Sequence, residues 1–196
     1  GCSLPGAAPD FSLKVYLDLK KKDPELGLWF DCCSKPLRMK NDHRVAEKHE
    51  QSLLQKMLKA GVEDVITACG NCYLQFDRFA AGRLRVQFLY DMLEVDVAVP
   101  ETEAVTIHHP CFARQQPELQ EAAFRLADGL GLRLKNRDQR EHPLSCCLHD
   151  NELAQGRKSS LLGEPLLTYC AHCVTRFQTD MPTRHLLQVI YGSDAV

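Results

Sequence analysis

Two adjacent cysteines close the apolar run in "LWFDCCSKPLRM", residues 28 to 39, and a second doublet stands in "HPLSCCLHDNEL". Successive residues of a strand point to opposite faces, so Cys32 and Cys33 serve one site only if the backbone turns there. The remaining thiols complete a pattern. The ten cysteines are Cys2, Cys32, Cys33, Cys69, Cys72, Cys111, Cys146, Cys147, Cys170 and Cys173, which read as C, CC, C-x-x-C and then the same again. Equivalent positions are offset by 109, 114 and 101 residues, so the spacing describes an internal duplication with loops of unequal length. It predicts two repeats, residues 1–98 and 99–196, meeting near "VDVAVPETEA", residues 95 to 104, where proline and acidic residues interrupt the pattern.

Hydrophobic periodicity places the thiols on a fold. "ELGLWFD" and "VEDVITA" read as buried strands on either side of a helix in "HRVAEKHEQSLLQKMLKAG". There Val45, His49, Leu53, Leu54, Met57 and Leu58 recur at helical spacing before the stop at Gly61. In the second half "AVTIHH" and "PLLTY" are strands, "ARQQPELQEAAFRLADGLG" is a helix, and helical spacing returns in "RHLLQVIYG". Strand and helix in alternation predict an α/β fold: in each half a small parallel sheet flanked by helices. Cys32, Cys69, Cys111 and Cys170 then lie just past strand C-terminal ends, where open parallel sheets gather their ligands. Trp29 and Phe30 read as core.

Composition narrows the function classes. With 44% hydrophobic residues in 196, the chain can build a real core. A formal charge of -2 without a basic stripe argues against a nucleic-acid partner. No apolar run approaches the ~20 residues of a membrane span. The chain starts at Gly1 without the n-region and h-region of a signal peptide, and so reads as a processed or excised piece. No glycine-rich fingerprint supports nicotinamide, flavin or ATP binding. Nor is there a ferredoxin-type C-x-x-C-x-x-C-x-x-x-C run, so electrons would have to come from another subunit or a missing part of the chain.

Five ionised thiols held together repel strongly, roughly 4 kcal/mol for each pair at 4 Å and an effective dielectric of 20. They must stay protonated, form disulfides or bind metal. Disulfides fit poorly: five per half is odd, and a vicinal disulfide departs from normal geometry. A tetrahedral zinc ion takes four ligands, one fewer than each half supplies, whereas an iron–sulfur cluster can use all five. A C-x-x-C at a strand-to-helix turn suits either metal.

The segments "GCSLPG", "CCSKPL", "TACGNC" and "HHPC" resemble the cysteine-rich CCG domain of heterodisulfide reductase, a domain that also occurs in proteins oxidising glycolate, lactate or glycerol 3-phosphate. The resemblance covers essentially the whole chain. It implies two noncubane 4Fe-4S clusters, one on Cys2, Cys32, Cys33, Cys69 and Cys72, the other on Cys111, Cys146, Cys147, Cys170 and Cys173. The 35 residues between Cys33 and Cys69 fit the family, the 29 between Cys2 and Cys32 are slightly short, and only 22 separate Cys147 from Cys170. The glycine that usually follows each doublet is replaced by Ser34 and Leu148. Glycine there would permit a positive φ. These departures leave a different cluster or a single zinc open at the second site.

Of the histidines near cysteines, His108, His109, His142, His149 and His172, most read as solvated or supporting residues. His108 is the exception, because the family has a histidine near that position. Lys20, Lys21 and Lys22 read as an exposed helix end before Pro24 rather than a docking patch for anions.

The resemblance implies an iron–sulfur component of a redox complex, an oxidoreductase component of heterodisulfide reductase type in anaerobic metabolism. It would pass electrons to a disulfide-type acceptor whose sulfurs bind cluster iron. Its partners would be ferredoxin-like or flavoprotein subunits and a small thiol or disulfide substrate. Its place would be the cytoplasm, alone or in a membrane-associated complex. Two alternatives stay open: an electron-transfer component of a hydroxy-acid or related dehydrogenase without turnover of its own, and a zinc-binding scaffold.

Overall fold

The computed structural model describes residues 2–95, 104–113, 115–136 and 165–192, with residues 156, 159, 161 and 163. They form two compact units. The first combines Cys2 with Gly27–Met92, and the second combines Ser3–Leu26 with the described residues from Leu93 onward. Each has its own small parallel sheet with helices packed on it.

In the first unit, α3 (Lys35–Met39) follows the cysteine doublet, and α4 (His43–Lys59) leads to β1 (Asp64–Thr67). Next come α5 (Gly70–Ala80), β2 (Arg85–Phe88) and the short α6 (Leu89–Met92). β1 and β2 pair in parallel with Asp64 opposite Arg85 and Thr67 opposite Phe88. Parallel pairing needs a crossover, and α5 supplies it. Where α4 ends, Gly61 takes φ 74, the left-handed turn that a side chain would resist.

The buried face of α4 differs from the apolar periodicity. Ala46, Glu50, Leu53, Leu54 and Met57 are buried, while Val45 and Leu58 are exposed. That stripe keeps helical spacing but is rotated so that a carboxylate takes a core position. Leu53, Leu54 and Met57 then pack with Phe76, Ala80 and Leu84, and Cys33 and Cys72 belong to the same cluster. Two of the thiols are therefore part of the hydrophobic core.

The strand expected at "ELGLWFD" is absent: residues 26–33 have no regular structure. Apolar composition gives a segment neither a ladder partner nor a register, and β1 is paired by β2. Trp29 and Phe30 are correspondingly not core, being 37% and 67% exposed. Cys32 thus follows an irregular segment, whereas Cys69 follows a strand.

The second unit opens with α1 (Ser3–Ala7) and α2 (Pro9–Lys22). Lys20 donates to the carbonyls of Pro24 and Leu26, both at 2.9 Å, and so closes the end of α2. The sheet has the order β3 (Thr106–His108), β4 (Leu166–Thr168), β5 (Thr183–His185), all parallel. Helix α7 (Pro117–Gly129) buries Leu119, Ala122, Ala123, Leu126 and Ala127. Helices α8 (Ala171–Phe177) and α9 (Leu186–Tyr191) follow β4 and β5. Most of the stretch expected to join the two repeats, residues 96–103, lies outside the described residues.

One side chain completes the edge of β3. The buried Asn136 amide accepts from the Ile107 N–H at 3.0 Å and donates to its carbonyl at 2.8 Å, occupying the place a neighbouring strand would take. Asn136→Ala leaves both backbone groups buried and unsatisfied, and is expected to cost about 2 kcal/mol. Urea denaturation of the variant beside the parent protein checks this.

Candidate metal centre

Local folding brings the five thiols of the first set together. Cys69 stands at the N-cap of α5 with extended backbone, φ -113 and ψ 121, so its sulfur lies at the strand-to-helix turn, and Cys72 follows on the first turn of the helix. The doublet sits on another turn, where Ser34 adopts φ 66 and ψ 3 before α3 begins. The position that favours glycine on conformational grounds is thus left-handed here with a side chain attached.

Hydrogen bonds link the sulfurs in a chain. Cys32 pairs with Cys2, while the single proton of the Cys72 thiol is shared between Cys33 and Cys69. The peptide between Cys32 and Cys33 joins the two groups into one set of five. Their acidities follow from these contacts. The Cys72 bond, helped by N–H groups of Cys72 and Asn71, brings the Cys69 thiol down to about 6 against the effect of burial. The same donor lowers Cys33, opposed by burial and aided by the Lys35 N–H. Cys72 is correspondingly raised, because giving up its proton would break both bonds. Burial pushes Cys32 up, the Ser34 N–H draws it down, and neighbouring Cys2 and Cys33 raise it again, for a net upward shift. Two sulfurs biased toward thiolate, served by backbone N–H groups, suit cysteine ligation of a metal.

Residues without sulfur hold this turn in place. The His49 Nε2 lies 2.9 Å from the Cys32 carbonyl, and the Cys32 N–H donates to Asp31 Oδ1 at 2.8 Å. Arg38 of α3 makes a two-point bond to the Glu50 carboxylate at 2.8 and 2.7 Å, and Arg78 of α5 joins it at 2.7 Å. Glu50 is only 4% exposed. One buried carboxylate thereby ties the helix after the doublet to the helix that carries C-x-x-C. Burial raises its pKa, but the two guanidinium groups more than offset that and leave it below the ordinary carboxylate range. Apolar periodicity passes over Glu50, and no local motif connects it to Arg38 or Arg78.

In the second unit Cys170 repeats the geometry of Cys69. It caps α8 with φ -134 and ψ 121, and Cys173 is buried on the first turn. Cys111 opens a single 3-10 turn, Cys111–Ala113, just after β3. Cys146, Cys147, His142, His149 and Leu148 lie outside the described residues. His108 is buried edge-on against Phe177, with ring centroids 4.9 Å apart. His109 is also buried, its Nδ1 2.8 Å from the Tyr169 hydroxyl. Burial, then the charges of Cys173 and Cys170, push that phenol well above its usual pKa. His172 is exposed, within hydrogen-bond distance of Ser3 Oγ at 3.0 Å.

Among the described residues none of the eight cysteines is in a disulfide, and no three His, Cys, Asp or Glu side chains close around a single ion. Five sulfurs are one more than a tetrahedral ion takes, and a polynuclear cluster can use them all. A cluster would be held by Cys2, Cys32, Cys33, Cys69 and Cys72.

Fold and thiol layout define a cysteine-rich α/β module with C-x-x-C at strand ends. Residues 17–77 match the CCG family, described as a cysteine-rich domain. The matched stretch contains Cys32, Cys33, Cys69 and Cys72. No curated protein and no solved structure matches the chain. A CCG domain is compatible with an iron–sulfur or other metal-binding role. No helix among the described residues is long and apolar enough to cross a membrane.

Proposed function

We propose that the chain is the iron–sulfur component of a redox complex of heterodisulfide reductase type, and that it passes electrons to a disulfide-type acceptor. The observation that carries this reading is the pair of hydrogen-bonded thiol groups in the first unit, Cys2 with Cys32 and Cys72 with Cys33 and Cys69, adjacent through the cysteine doublet. A bound cluster would supply the electron storage and the affinity for sulfur. The chain's residues would supply the surroundings. Cys33 and Cys72 lie in an apolar cluster that keeps water from the inner sulfurs, while Cys2 is exposed. Electrons and a sulfur-containing acceptor would therefore meet the centre at the Cys2 end. The second cysteine set would hold a second centre, and other subunits would deliver the electrons.

Anaerobic purification followed by iron, zinc and acid-labile sulfide analysis tests the proposal. The expected result is at least about four irons per chain with matching sulfide, and a visible absorption that bleaches on reduction. A colourless protein containing zinc and no sulfide would overturn it in favour of the scaffold reading.

A further inference from the structure

The side chain of Ser34 is a fully buried polar group directly beside the first set of thiols. Ser34 is 0% exposed, and its hydroxyl has no hydrogen-bond partner among the described residues. Buried hydroxyls are almost always satisfied, so an unmet one beside a candidate centre points to a group that completes it. The residue also keeps a left-handed backbone, φ 66, at a position where glycine would be free of strain. Two unfavourable features at one residue call for a compensating interaction.

Its position defines that interaction. Ser34 directly follows the doublet on the turn that presents both sulfurs, its own N–H serves Cys32, and the next N–H, from Lys35, serves Cys33. Its neighbours along the turn are the Cys32 and Cys33 thiols, no protein group among the described residues takes its hydroxyl, and a hydroxyl can donate to a cluster sulfur. We infer that the Ser34 hydroxyl donates a hydrogen bond to a sulfur of the cluster held by the first cysteine set, and so tunes its reduction potential. This rests on the iron–sulfur reading proposed above. A donor aimed at sulfur stabilises the reduced form, which carries one more negative charge, and so raises the potential. Ser34 is thus a tuning residue that acts on the centre without ligating it.

The test compares Ser34→Ala and Ser34→Gly with the parent chain, all purified anaerobically in full length. Alanine removes the hydroxyl and retains the backbone strain; glycine removes both. Redox titration is followed on the optical and EPR signal that Cys33→Ser abolishes, with iron and sulfide measured on the same samples. The expected result is a shift of the midpoint potential to more negative values in both variants, by similar amounts, with unchanged metal content. If the alanine variant does not fold, the glycine variant, which relaxes the backbone, decides. Midpoints equal to the parent's in iron-loaded variants overturn the inference and leave the cluster reading standing. A parent chain that takes up no iron or sulfide overturns both.

Discussion

On the iron–sulfur reading proposed above, Cys33→Ser is expected to abolish the spectroscopic signal of the first cluster and to lower the iron content to that of any second site. Cys33 is buried, lies in the hydrophobic cluster with Leu53, Met57 and Phe76, and accepts the Cys72 proton that also orders Cys69. Replacing its sulfur would remove one of the five proposed ligands and the acceptor of the Cys72 thiol. Serine is close to cysteine in volume, so the far-ultraviolet circular dichroism should stay that of the parent, which separates loss of the centre from loss of the fold. Cys2→Ser, at the exposed end, should weaken the centre without removing it. An unchanged spectrum in Cys33→Ser would end its assignment as a ligand.

The second large effect concerns a residue without sulfur. Glu50→Gln is expected to destabilise the first unit by about 3 kcal/mol at neutral pH, because it leaves two guanidinium groups facing a buried neutral amide. Arg78 is partly exposed and recovers some hydration, so the larger share falls on Arg38. The pH dependence follows from the lowered carboxyl pKa. The contribution of Glu50 is fully present above the pKa of an unfolded glutamate, roughly 4.3, and fades as pH falls through the lower folded value. Urea denaturation at a series of pH values should therefore show the deficit of the variant largest at neutral pH and shrinking in acid. A deficit independent of pH would mean that the carboxylate charge is not what holds α3, α4 and α5 together.

How far such features can be read from residues alone depends on the range of the interaction. The C-x-x-C at Cys69 and Cys170, the long helix ending before Gly61 and the strand in "VEDVITA" are local: a short window contains the periodicity, the stop and the thiols. Strand β2 in "RLRVQF" is not local in that sense, because a four-residue strand exists only through the partner it pairs with. The same rule runs in reverse at "ELGLWFD", where strong strand composition finds no ladder. Ser34 divides the two cases. Its need for a left-handed backbone is legible from the glycine the family favours there, whereas the burial of its hydroxyl is a property of the assembled turn. The clamp at Glu50 is hidden for a plainer reason: a stripe counted in apolar residues cannot include a carboxylate, and its two arginines come from other helices.

The five sulfurs of the first unit are graded in exposure: Cys2 is open, Cys32 and Cys69 are half-covered, and Cys33 and Cys72 are shut in the core. Oxidants and alkylating reagents would accordingly attack in stages, with damage entering at Cys2 and the innermost thiols outlasting the rest. A chain attacked at its outer rim would keep the thiols of Cys33 and Cys72 shielded in the core.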